Sequence, residues 1–143
     1  FITPAVKNSK IYTSTDGDER RLSAFDTSGN ILWKTPQLSD KPMSASSVAI
    51  DPDTNSGYVA IAPSADTMML VKFSLSDGTT IWMKNTGKPS PSGKLPEPVI
   101  ANTLIYQPSG DGYLMILDKD GNYIEPFTGN SVAISTGVYL GGI

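Results

Sequence analysis

The chain has 143 residues, a formal net charge of −3 and 17% charged side chains, a size that is ordinarily one domain with a sizeable core. It has no basic run that could neutralise a row of phosphates, which argues against a nucleic-acid partner, and no apolar run near the roughly 18 residues of a membrane span, so a soluble chain is expected. Cysteine and histidine are both absent, which removes disulfides, thiolate metal sites, a cysteine nucleophile, the commonest general base and the commonest neutral metal ligand.

The chain opens on Phe1 without an initiator methionine or a charged leader, which predicts a processed or excerpted chain. From there, β-prone runs follow one another. They are KIYTST (10–15), RLSAFD (21–26), ILWKT (31–35), SSVAI (46–50), GYVAIA (57–62), MMLVKFSL (68–75), TTIWMK (79–84), TLIYQ (103–107), GYLMILD (112–118) and GVYLGG (137–142). Each is bounded by Gly, Pro, Asn, Asp or Ser, which supply positive φ, fixed φ or local side-chain hydrogen bonds in turns. Apolar side chains at helical spacing are missing throughout, so the expected fold is all-β.

Short strands at this spacing suit a sandwich, a barrel or a propeller, and internal repetition decides between them. The stretch AFDTSGNILW (24–33) is echoed by KFSLSDGTTIW (72–82), and Gly29 and Gly78 each precede a tryptophan, Trp33 and Trp82, by four positions. A third copy, ILDKDGNYIE (116–125), matches Asp26 and Gly29 with Asp118 and Gly121 but has Glu125 in the tryptophan's place. Upstream, segments 3–14, 46–62, 97–109 and 130–142 share an apolar pair, a polar turn and a tyrosine-bearing strand. Tyr12 and Tyr106 lie 94 positions apart with Val59 halfway, giving two units of 47 residues. Four strands per unit at roughly 40–50 residues is the propeller period.

These residues resemble the quinoprotein-like (PQQ-like) β-propeller repeat, whose blades end in a pattern close to Ala-x-Asp-x-x-x-Gly-x-x-x-Trp. Ala24, Asp26, Gly29 and Trp33 follow it with a turn one residue shorter, while Lys72, Ser74, Gly78 and Trp82 keep the length and change the first two residues. The turn chemistry gives the aspartate the role of accepting backbone N–H bonds and the glycine that of supplying positive φ. The resemblance implies that the tryptophans pack one blade on the next. Residues 1–36, 44–85 and 96–127 are expected to form three blades and 130–143 to begin a fourth, about 3.5 in all. Closed propellers usually have about four to eight blades, so the expected partner is the rest of a larger propeller, or a second chain that completes it.

The second-to-third-strand turns and the connections between units are expected to share the ligand-binding face. Asp18, Arg20, Asp66 and Asp111 would then converge on a polar funnel with Lys88 and Lys94 at its rim. In DPDTN (51–55), Asp51, Asp53 and Asn55 alternate as hard oxygen ligands could around calcium, although the glycine spacing departs from a calcium loop. No phosphate-cradling loop and no nucleophile–base pair stands out, so no catalytic residue is assigned and no cofactor is expected. The expected function is a non-catalytic binding or scaffolding segment with a protein or glycan ligand, which the resemblance places in the periplasm or outside the cell. Two alternatives remain open: part of a PQQ- and calcium-dependent alcohol or sugar dehydrogenase, and a carbohydrate-binding propeller.

Overall fold

A computed structural model describes residues 2–124 and 131–133. The first unit contains β1 (Ala5–Lys7), β2 (Lys10–Ser14), β3 (Leu22–Asp26) and β4 (Ile31–Lys34). The second contains β5 (Ser44–Ala45), β6 (Ala49–Ile50), β7 (Ser56–Ser64), β8 (Thr67–Ser74) and β9 (Thr80–Asn85). The third contains β10 (Val99–Ala101), β11 (Leu104–Pro108), β12 (Tyr113–Asp118) and β13 (Ser131–Ala133). Each unit is an antiparallel meander in chain order, with β5 and β6 both pairing β7 as one interrupted strand. The interruption carries a one-residue register shift, from Ala45 opposite Ile61 to Ala49 opposite Tyr58.

The sheets stack face to face around two apolar cores. Tyr12, Leu22, Ala24, Val59, Ile61, Val71 and Phe73 fill the space between the first and second sheets. Tyr58, Leu70, Ile105, Met115 and Leu117 fill the space between the second and third. Because strand side chains alternate between faces, β7 sends Tyr58 into one core and Val59 into the other, and its first seven residues are all buried. The middle sheet is thus covered on both sides.

This alternation corrects the repeat register. Tyr12 pairs with Ala24, and Ala24 with Trp33. Tyr58 pairs with Lys72, and Lys72 with Trp82. Tyr58, and not Val59, is therefore the counterpart of Tyr12, and the tyrosine spacings are 46 and 48 residues. A second correction falls at the C-terminal end, where Ser131, Val132 and Ala133 pair with Met115, Leu114 and Tyr113. Segment 131–133 is an edge strand of the third sheet, not the opening of a fourth unit. The remainder of 130–143, and Glu125, lie outside the described residues.

Candidate ligand-binding face and blade junctions

The acidic turns shape the β3–β4 and β12 ends as their chemistry requires. One Asp26 carboxylate oxygen accepts the Ser28 and Asn30 N–H groups at 2.9 and 2.8 Å, and the other accepts Asn30 Nδ2 at 2.8 Å. Asp118 repeats this pattern on Asp120 and Asn122 at 2.9, 2.8 and 3.0 Å. The side-chain bonds from Asn30 and Asn122 lead the interactions that hold both carboxyls below the usual carboxylate range. In the second unit Asp77 accepts the Thr79 N–H instead, a substitute the sequence pattern did not reveal.

Beyond these turns lie the junctions between sheets. The Trp33 indole N–H donates to the Leu75 carbonyl at 3.1 Å, and that of Trp82 donates to the Lys119 carbonyl at 3.1 Å. Each acceptor is the residue directly after the first position of its turn, Ser74 or Asp118. Trp33 lies 6.1 Å from the Tyr12 ring, and Trp82 lies 5.8 Å from the Tyr58 ring. A Cβ on Gly78 would come within 2.7 Å of Trp33, and one on Gly121 within 3.1 Å of Trp82. Tyrosine, tryptophan, carbonyl and glycine therefore form the same joint twice.

The DPDTN turn binds cations, but they are lysine ammonium groups from the flanking sheets. Lys7 Nζ donates to the carbonyls of Asp51 and Thr54 at 2.7 Å and of Pro52 at 3.3 Å. Lys119 Nζ reaches the fully buried Asp51 carboxylate at 2.9 Å and Asp53 at 3.5 Å. Burial alone would raise the Asp51 carboxyl, yet Lys119, the Asp53 N–H and the Thr54 hydroxyl together hold it below the ordinary range. Asn55 turns away, its Nδ2 donating to Ser76 Oγ at 2.6 Å. Asp51 and Asp53 thus clasp Lys119 of the third unit, while Asn55, the last of the three residues whose spacing suggested a calcium set, bonds within its own unit.

On the loop face, the turns and connections do converge, around an open groove of about 590 Å³. Asp16 and Gly17 come from the β2–β3 turn, Pro42 and Met43 from the first connection, Ala62 and Ala65 from the β7–β8 hairpin, and Pro89 and Pro91 from the second connection. Reciprocal Gly17–Met43 backbone bonds at 2.8 and 3.3 Å fix one wall. Gly110 N–H bonds the Lys88 carbonyl at 2.7 Å, tying the β11–β12 turn to the second connection. Such a groove can grip an apolar or extended ligand while backbone groups and a few hydroxyls orient it.

The charged residues expected to line a funnel are arranged otherwise. Asp18 offers its carbonyl to Arg20 Nε at 3.0 Å and to Gln37 Nε2 at 3.2 Å. Arg20 sits at φ 53° and its carbonyl accepts the Leu38 N–H, while the Asp111 carboxylate accepts the Ser109 hydroxyl. Asp66 donates its N–H to Ser64 Oγ at 3.4 Å, and Lys94 is exposed on the second connection. None of Asp18, Arg20, Asp66, Lys88, Lys94 and Asp111 lines the groove, whose single charged wall residue is Asp16. The groove is consequently more apolar than loop composition implied.

No family model matches the chain, and no curated protein sequence does. Among solved structures, the chain is similar to BamB from Moraxella catarrhalis, with a TM-score of 0.61 and 23% identity over 87% of its residues. The aligned part is 33% of that protein, so this chain spans about a third of its length. Together with the three stacked four-stranded meanders, the likeness shows the fold: all-β, a β-propeller of antiparallel blades, present in part. No helix among the described residues is long and apolar enough to cross a membrane.

Proposed function

We propose that the chain is a stretch of a larger, quinoprotein-like β-propeller that serves as a non-catalytic binding scaffold, with its ligand seated in the loop-face groove. The observation that carries this reading is the composition of the groove. Two neighbouring blades and the connections that follow them present prolines, methionine and alanines around one carboxylate, a surface suited to an extended peptide segment of a protein partner. Apolar walls contribute affinity through buried area, while the exposed backbone and serine hydroxyls supply orientation. The repeat pattern that suggests the quinoprotein-like family also suggests placement outside the cytoplasm.

The test screens the chain against a random peptide library alongside titrations with PQQ plus calcium and a glycan array. Peptide binding that Ala65→Arg weakens at least about tenfold, as expected when a long cation fills an apolar contact surface, is the predicted result. Saturable PQQ binding with dye-linked alcohol oxidation would overturn the reading in favour of a dehydrogenase, and selective glycan binding would favour a carbohydrate-binding propeller.

A further inference from the structure

Six of the twelve residues that line the loop-face groove offer a ligand no backbone N–H. Pro42, Pro89 and Pro91 have none to offer. Gly17 and Met43 donate theirs to each other's carbonyls at 2.8 and 3.3 Å, and Gly93 donates its own to the Ser90 carbonyl at 2.8 Å. An extended ligand therefore cannot join these walls as an added strand, because strand addition needs a continuous row of backbone donors and acceptors. Recognition in this groove falls to side chains.

Asp16 supplies the only charge in the lining. It is exposed, and its carboxylate has no hydrogen bond or ion pair with any described residue. Other carboxylates are already engaged: Asp26, Asp77, Asp111 and Asp118 accept bonds from their own turns, and Asp51 holds Lys119. Arg20, the cation nearest in sequence, donates its Nε to the Asp18 carbonyl at 3.0 Å. The backbone that carries Asp16 is nevertheless fixed, because the next residue, Gly17, is bridged to Met43. Asp16 is thus a positioned acceptor whose two oxygens remain open to a ligand.

We propose that the groove selects a peptide segment anchored by an arginine, whose guanidinium pairs with the Asp16 carboxylate while flanking apolar residues lie against Met43, Ala62 and Ala65. The proposal rests on the binding-scaffold reading and names the chemistry of its ligand. Arginine exceeds lysine here because its planar fork meets both carboxylate oxygens at once and brings five N–H donors to walls that are short of them. Its aliphatic stem packs on the apolar wall while the charged head stays at the carboxylate. A ligand that covers the groove also removes water from around the pair, which strengthens the attraction. The net charge of −3 adds a weaker, longer-range pull in the same direction.

The test is an NMR titration of the ¹⁵N-labelled chain with capped peptides of the form acetyl-Pro-Ala-Xaa-Ala-Pro-amide, in which Xaa is arginine, lysine, citrulline or glutamate. Citrulline keeps the shape of arginine without its charge. The expected result is saturable shifts at Gly17, Met43, Ala62 and Ala65, with the arginine peptide bound at least about threefold more tightly than the citrulline peptide, lysine between them and glutamate weakest. Asp16→Asn, which removes a carboxylate that holds nothing else in the fold, should bring the arginine peptide down to the affinity of the citrulline peptide and leave the latter unchanged. Equal affinity for arginine and citrulline, an arginine preference that survives Asp16→Asn, or no groove shifts with the arginine peptide would each overturn the proposal. Equal binding of all four peptides in the groove would overturn it while leaving the binding-scaffold reading in place, and the library screen decides that reading by itself, so the two failures are distinguishable.

Discussion

Tyr58 places its hydroxyl in the second core with no hydrogen-bond partner among the described residues. Burial, followed by the nearby Asp51 and Asp120 carboxylates, pushes its phenol well above the ordinary value. A buried hydroxyl without a partner costs stability relative to an apolar group of the same shape. Tyr58→Phe should therefore raise stability by about 1 kcal/mol in urea denaturation, with the Trp82 contact intact. Asp51 behaves in the opposite sense. Its folded carboxyl is held below the unfolded value, so its contribution is complete above the usual carboxylate range and is lost as pH falls through the depressed value. Asp51→Asn should cost about 2 kcal/mol at neutral pH, and the gap between variant and parent should close as the pH drops below about 4. A gap that is flat with pH would mean that the clasp with Lys119 does not form in solution.

The turns show how identical-looking elements differ in consequence. Gly29 and Gly78 share a positive φ, yet only Gly78 has a tryptophan against it. Gly29→Ala should cost about 1 kcal/mol, the strain of a left-handed alanine. Gly78→Ala adds a methyl group 2.7 Å from both Trp33 and Thr35 Cγ2, so its cost should rise to about 2–4 kcal/mol. Thermal unfolding of the two variants measures the difference directly, and equal costs would remove Trp33 from the joint. At this scale the sequence was legible where a local pattern recurred. Asp26 and Asp118 bond their own turns, Gly29, Gly78 and Gly121 share a positive φ, and Trp33 and Trp82 each donate to the neighbouring sheet. It misled where two faces of one strand had to be told apart, because a one-residue slip exchanges Tyr58 for Val59 and one core for the other. Lys119 was missed as the partner of Asp51 because 68 residues of chain separate them. The loop face carries a groove, but none of the six charged residues expected there lines it, because a turn's composition does not say which of its residues face a neighbouring loop.

Taken whole, the described chain is a stack of three blades with two filled joints and two faces left open. On the outer side of the third sheet, Val99 pairs with Tyr106, opposite the core residue Ile105, and is 56% exposed. This mirrors the exposed Val6 and Ile31 at the other end of the stack, and a closed ring would cover both faces. The repeated indole joint is what makes the stack a propeller segment instead of three loosely associated meanders. The most direct test is a nuclear Overhauser spectrum of the chain in solution, read at its two indole N–H protons. The predicted result is contacts from Trp33 to Gly78 and Leu75 and from Trp82 to Gly121 and Lys119, with both N–H groups protected from solvent exchange. Indole protons that exchange at the rate of free tryptophan and show no contact to those turns would contradict it.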